Sequence, residues 1–294
     1  MYSLPTFQAT TVAADDKPLD FAALNLTANL PEWTRDPGAM ARFQRAAADV
    51  WVPLPAAQQN TLCGEDKRCR YDRAVWRSQS GEDAHAYERY FYGRGGGTFL
   101  EMGALDGKTY SNSHAFETAL GWRGVHVEAS PPQYTDLVRN RPDQVAVHVA
   151  MCGRAQTVHY TVRGNKCCNG IPEFMSPAFL AKWHPELPAG NFSSLPEVPC
   201  VPLGMLLGWL GMQHINLYVL DVEGGELMVL QSVDFSQLSF DVIAVEADGS
   251  NPEKDRAVID LLVSKGYTHD NGTTRRNDWF SRKGFQPSQK PAVI

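Results

Sequence analysis

Residues 99–107 read FLEMGALDG, an apolar run that meets one acid, Glu101, and then spends Gly103 and Gly107 on the chain that follows. An apolar core gains nothing from an acid and two glycines. A strand that ends and bends sharply toward a bound molecule does, because glycine turns without a Cβ clash. Further β-rich runs follow: GVHVEAS at 124–130, VAVHVAMC at 145–152, INLYVLDVEG at 215–224 and FDVIAVEADG at 240–249. Helical patterns fall between or after them. SNSHAFETALGW follows the first run, with Ser111 or Asn112 as N-cap, and SPPQYTDLVRNRP follows the second with prolines at a helix start. GGELMVLQSV follows the fourth; PEKDRAVIDLLVSKGY follows the fifth, with Val258, Leu261 and Leu262 at helical spacing and Gly266 as the stop. The alternation predicts an α/β domain built on a mostly parallel sheet with helices on its faces. A closing THDNG…DWFSR segment predicts an antiparallel hairpin.

Outside this region the signals weaken. Residues 1–80 are rich in Pro, Ala and Gln and read as an arm or cap, with one helix expected around DPGAMARFQRAAADVW. The charged stretch CGEDKRCRYDRAVWR reads as a solvated face. Residues 81–285 form the main domain, interrupted by a long irregular insertion at 163–200, and 286–294 form a tail. Insertions of that length are usually functional or partly disordered. The chain has 294 residues, 43% of them hydrophobic, and a net charge of −6, which argues against a nucleic-acid partner. No apolar run is long enough to span a membrane, and the opening residues lack the pattern of a signal peptide.

Four of the runs carry acids at their ends: Glu101, Glu128, Asp221 and Glu246. In open α/β sheets the carboxyl ends of the strands converge on one crevice, so acids far apart in sequence meet there. The spacing E-x-G-x-x-x-G is not the dinucleotide fingerprint, and no Lys–Ser/Thr pair follows to make a phosphate loop. An acid ahead of the turn suits a cationic amine. Glu128, 21 residues after Gly107, suits the two hydroxyls of a ribose. Amine plus ribose points to S-adenosylmethionine.

FLEMGALDGKTYSNSHAFETALGWRGVHVEASPPQY and LYVLDVEGGELMVLQSVDF…FDVIAVEADG closely resemble the FkbM family of S-adenosylmethionine-dependent methyltransferases, over about residues 85–282. GIPEFMSP, VPCVPL and VEADGSNP resemble its eukaryotic, algal-type branch. The family commonly has threonine after the SN pair; Ser113 stands there in this chain. The resemblance implies a Rossmann-like class I methyltransferase fold with a seven-stranded sheet. It implies that Glu101, Gly103, Ala104 and Gly107 shape the methionine half of the cofactor site, with Ser111 and Asn112 at its carboxylate. Asp106 either joins them or holds the turn through its own backbone. Glu128 would take the ribose; Ala150 and Met151 would line the adenine, Met151 being equally at home in a core.

Asp221 is the candidate for chemistry, as a base or as a ligand to magnesium or manganese together with Glu246 and Asp248. Asp221 also borders the cofactor. Glu223 and His114 are further catalytic candidates; Glu223 and Glu226 would also suit a helix start on charge alone. The expected acceptor is a hydroxyl of a sugar in a glycan or glycoconjugate. The insertion offers Phe174, Phe179, Trp183, His184 and Phe192, with Asn165, Lys166 and Asn169 as polar partners. A small natural product as acceptor, or a non-catalytic interaction protein, are the alternatives.

Six cysteines and three Asn-x-Ser/Thr triplets lean toward the secretory pathway, such as a Golgi lumen, with the cytoplasm as alternative. In an oxidising lumen Cys63 and Cys69 are expected to pair, and Cys152 with Cys200, or with Cys167 or Cys168 in place of one of them.

Overall fold

The computed structural model describes residues 27–45, 52–54, 62, 74–162, 168–187, 190–247, 249, 251–274 and 276–289. Its strands are β1 (Thr27–Asn29), β2 (Val52–Pro53), β3 (Arg94–Gly95), β4 (Thr98–Met102), β5 (Arg123–Glu128), β6 (Val145–His148) and β7 (Ala150–Met151). They continue as β8 (Gln156–His159), β9 (Glu197–Val201), β10 (His214–Leu220), β11 (Ser239–Glu246), β12 (Tyr267–Thr274) and β13 (Asn277–Arg282).

The main sheet runs in the order β1-β6-β5-β4-β10-β11-β13-β12. Its five central strands, β6, β5, β4, β10 and β11, are parallel, and β13 and β12 close one edge as an antiparallel hairpin. The sheet has eight strands, not seven. The extra one is β1, which the N-terminal segment lays antiparallel on β6, covering an edge that would otherwise expose unpaired amides. The helix expected in that segment spans Pro37–Arg45 and buries Phe43 in the core of the main sheet.

Strand alternation divides the core in two. Leu100, Met102, Val125, Val127, Tyr218, Leu220, Ile243 and Val245 pack with the helices Leu203–Trp209, Glu226–Gln231 and Pro252–Ser264. Phe99, Leu217, Val219, Val242 and Trp279 face the other way, toward the helices Glu82–Tyr90 and His114–Thr118. Each such side chain is fully buried, a gain of about 1.5–3 kcal/mol apiece before the entropy cost.

The insertion is less irregular than its sequence reads. Its last residues are β9, which pairs antiparallel with β8 and parallel with β7, and its middle holds the helix Pro177–Trp183, capped by Ser176 Oγ on the Phe179 amide. Prolines at 172, 177, 185 and 196 mask this pattern in the sequence. A disulfide joins Cys152 to Cys200 and ties β9 to the chain leaving β7. Cys63, Cys69 and Cys167 lie outside the described residues. Among the described residues no helix is long and apolar enough to cross a membrane.

Candidate functional site

The strand order reverses between β4 and β10, whose neighbours lead away in opposite directions. At such a switch point the loops diverge and leave a crevice beyond the carboxyl ends of the strands. The two loops touch at Gly103. Its φ is +76°, and a Cβ built there would lie 1.9 Å from the Asp221 carbonyl oxygen, so only glycine lets β4 leave the sheet beside β10. The crevice opens into a cavity of about 520 Å³, within the usual range for small-molecule sites. Among the described residues, three non-glycine residues have left-handed backbones, Leu105, Tyr110 and Glu223, and all three line this cavity. Strain of that kind concentrates at functional sites.

The loop after β4 is held from beneath. Glu101 points away from the cavity, because Met102 takes the cavity-facing position and alternation turns its neighbour to the opposite side. Glu101 accepts from Ser111 Oγ (3.0 Å), the Asn112 amide and Ser113 Oγ. Arg141, 1% exposed, donates to the Gly107 carbonyl (2.9 Å), Ser111 Oγ (3.2 Å), Ser113 Oγ (3.1 Å) and Glu117. Burial works to raise the Glu101 pKa, but His126, Arg141 and Ser113 hold it below the ordinary carboxylate range. Burial and Arg141 keep His126 below its own ordinary range, so at neutral pH Arg141 is the cation that balances Glu101. Gly107 meets no ligand: a Cβ there would come within 2.7 Å of Arg141 and Leu137.

Several expected site residues therefore act one layer below the cavity. Glu101, Ala104, Asp106, Gly107 and Ser111 do not line it. Ala104 is buried against Tyr134 and Leu137. Asp106 holds the turn, accepting from the Lys108 and Thr109 amides and from Thr109 Oγ1. His114 is also off the cavity, its Nδ1 bonded to the Val75 carbonyl at 3.0 Å. Only Gly103 and Asn112 of that group reach the cavity, and Asn112 Oδ1 is buried with no hydrogen-bond partner. An orphaned buried acceptor calls for an explanation such as a bound donor.

On the wall formed by β5 and β7 stand Glu128, Ala150 and Met151. Glu128 ends β5, where the amides of Leu105 (2.8 Å) and Ser130 (2.6 Å) fix its carboxylate. Burial pushes its pKa up to about 7 against those amides. On the facing wall stand Asp221, Glu223 and Glu246. Burial, and then the charge of Glu223, push Asp221 up to about 7, while a hydrogen bond from Glu246 works the other way. Two carboxyls that share a proton are what close acids do when neither can be fully solvated. Glu226 is not part of the cavity. It is fully buried, accepts from the Val222 and Gly224 amides, and is paired with Lys254 at 2.7 Å, so it locks the turn that presents Asp221 and Glu223.

Asp248, expected as a metal ligand, lies outside the described residues. Among the described residues no group of three or more His, Cys, Asp or Glu gathers as a cation site. Asp221 and Glu246 alone fall short of the oxygen set that magnesium or manganese takes.

The insertion roofs the cavity with Asn169, Phe174, Phe179, Lys182 and Trp183. Trp183 is 40% exposed, with Lys182 Nζ 4.7 Å from its ring centroid. His184 serves the loop instead, its Nε2 bonded to the Cys168 carbonyl, and Phe192 is not part of the roof. Asn165 and Lys166 lie outside the described residues. Sequence reading missed Tyr160, Glu82, Arg276 and Asn277, which line the same cavity, and Arg141, which anchors its loop. Glu82 and Asn277 are bonded at 3.1 Å across 195 positions of chain, a pairing no local pattern announces.

A family model described as the methyltransferase FkbM domain matches residues 101–285. No curated protein matches the chain. Among solved structures, a methyltransferase FkbM from Methylobacillus flagellatus KT is 10% identical with a TM-score of 0.37, over 63% of this chain and 43% of that one. The match thus spans less than half of that protein. Fibrillarin from Aeropyrum pernix, solved with natively bound S-adenosyl-L-methionine, is 14% identical with a TM-score of 0.30, over 63% of this chain and 66% of that one. A SAM-dependent methyltransferase from Aquifex aeolicus is 9% identical with a TM-score of 0.33, over 73% of this chain and 94% of that one.

Proposed function

Because the chain belongs to the methyltransferase FkbM domain family, we propose that it transfers a methyl group from S-adenosylmethionine to a hydroxyl of a sugar in a glycan or glycoconjugate. The observation that carries this reading is the pairing, across one cavity, of an amide-fixed Glu128 with a half-buried Asp221 whose pKa is raised to about 7. The residues present suit the cofactor. Glu128 has lone pairs left for two ribose hydroxyls, and the orphaned Asn112 Oδ1 is an acceptor for the ammonium of the methionine part. Ala150 and Met151 give an apolar wall for the adenine.

When bound, S-adenosylmethionine supplies an electrophilic methyl group on a sulfonium sulfur, which leaves as a neutral thioether. Asp221 orients the acceptor hydroxyl and takes its proton as the oxygen gains the methyl group. Burial, and then the charge of Glu223 with its left-handed backbone, keep Asp221 basic enough to do so near neutral pH, against the opposing hydrogen bond from Glu246. The aromatic roof offers ring faces to the C–H surfaces of a sugar and excludes water, a competing acceptor. We place the working compartment in the secretory pathway, on the support of the Cys152–Cys200 disulfide.

The reading is tested with methyl-labelled cofactor and a panel of glycans, lipids, catechols and peptides, with label expected in a sugar hydroxyl. Label only in a catechol or a peptide refutes the sugar while keeping the methyltransferase. Glu128→Ala is expected to weaken S-adenosylhomocysteine binding about tenfold or more in calorimetry, from loss of charge-assisted hydrogen bonds of about 1–3 kcal/mol. Since Glu128 ionises near pH 7, wild-type affinity should fall as pH drops through about 7, and the variant should lose that dependence. Unchanged affinity in the variant removes the ribose assignment.

A further inference from the structure

Beside the cavity lies a second groove, of about 680 Å³, walled by residues 76–81, 83 and 84 on one side and 108–110 on the other. Gln79 and Tyr110 line both spaces and form the sill between them. The walls are tied together, since Ser78 and Tyr110 pair as an isolated parallel bridge. Each wall is also fixed by an acid, buried on the first and half-buried on the second. Asp83, 1% exposed, accepts from the Arg77 (2.7 Å), Ser78 (3.1 Å) and Ala84 (2.8 Å) amides and from Ser78 Oγ. Asp106 accepts from the Lys108 (2.9 Å) and Thr109 (2.6 Å) amides.

With both acids spent on backbone, the groove presents cations. Arg77 and Lys108 line it, and among the described residues neither is ion-paired. Arg77 Nε is buried without a hydrogen-bond partner, a cost that a bound anion would remove. The neighbouring cavity has the opposite balance, with Glu82, Glu128, Asp221, Glu223 and Glu246 against Lys182 and Arg276 on its walls. A negative group is therefore repelled from the cavity and drawn to the groove, a few residues away across the sill. Tyr110 stands on that sill with 45% of its surface exposed, a ring face on which a sugar can lie.

We propose that the groove binds an anionic group of the acceptor (a carboxylate, sulfate ester or phosphate ester on a saccharide) and thereby places a neighbouring hydroxyl at Asp221. The inference rests on the glycan-methyltransferase reading and adds a charge to its substrate. Arg77 and Lys108 then select the acceptor, and Gln79 and Tyr110 carry the chain between the two spaces.

The test is calorimetry on the full chain saturated with S-adenosylhomocysteine, using matched oligosaccharides that are neutral, uronate-bearing, sulfated or phosphorylated. At least one anionic form should bind about tenfold or more tightly than its neutral counterpart, with the advantage shrinking as salt is raised. The double variant Arg77→Gln, Lys108→Gln should erase that preference. It should leave S-adenosylhomocysteine binding unchanged, because the Arg77 backbone, not its side chain, meets Asp83. The identity of the tightest anion distinguishes carboxylate, sulfate and phosphate. Equal binding of neutral and anionic forms, no saccharide binding at all, or a preference that survives in the double variant overturns the proposal. Failure of S-adenosylhomocysteine to bind the wild type instead strikes the cofactor reading, so the two failures are separable.

Discussion

Asp221→Asn is expected to lower kcat for methyl transfer by about 10²–10⁴-fold, the usual worth of a positioned general base. The residue follows directly on β10, its amide donating to the Met102 carbonyl at 3.3 Å, so its backbone is fixed by the sheet. Asparagine keeps the size and can still orient a hydroxyl, but it cannot take the proton. S-adenosylhomocysteine should bind the variant nearly as well as wild type, since Glu128 and Asn112 stand elsewhere on the cavity. A loss confined to kcat separates chemistry from binding. The pH profile gives a second readout. Burial and Glu223 hold the Asp221 pKa at about 7, so wild-type rate should climb as pH rises through that value, and the climb should vanish in the variant. Stability should move the other way. An acid whose folded pKa lies above its unfolded value penalises the fold once pH exceeds the unfolded value, and fully above the folded one. Removing the charge should therefore raise the melting temperature at pH 8 while activity collapses. Near-normal turnover in Asp221→Asn leaves Asp221 as a wall of the cavity and no more.

The sheet and its crevice were legible because they rest on local patterns. Five apolar runs alternating with helical segments carry a parallel sheet, and the closing hairpin has its own two runs. The acids at the ends of three strands, Glu128, Asp221 and Glu246, reach the cavity because strand ends converge whatever lies between them. Glu101 was harder. Its place in the motif is plain, but a shift of one residue along β4 exchanges cavity for underside, and nothing in FLEMG says where the strand ends. Glu226 was ambiguous for a related reason, since a buried partner such as Lys254, 28 residues on, leaves no local trace. β1 was invisible for want of any apolar run. Three residues suffice there because the edge of β6 already supplies the template.

Arg141→Ala is expected to destabilise the fold by about 3–5 kcal/mol, the cost of leaving a buried charge without its partner. Arg141 follows the helix Pro131–Asn140 and turns its side chain under the loop after β4, where it is 2% exposed. Four hydrogen-bonding groups of that neighbourhood depend on it: the Gly107 carbonyl, the Ser111 and Ser113 hydroxyls and the Glu117 carboxylate. Without the guanidinium, the buried Glu101 keeps only a neutral His126 beside it, and Glu117 loses its ion-pair partner. The neighbouring Arg139 supplies the control. It pairs with Asp136 at 2.9 Å, but with 70% of its side chain exposed, so Arg139→Ala should cost no more than about 0.5 kcal/mol. Urea unfolding of the two variants side by side measures the difference. The same Arg141 variant should bind S-adenosylhomocysteine more weakly under conditions where it is still folded, because Asn112 is placed by the loop that Arg141 and Glu101 hold from below. Equal stability of the two arginine variants would mean that the loop keeps its shape without its buried cation. Glu101 would then have to be protonated in the folded chain, and a shift of stability toward acid pH would reveal it.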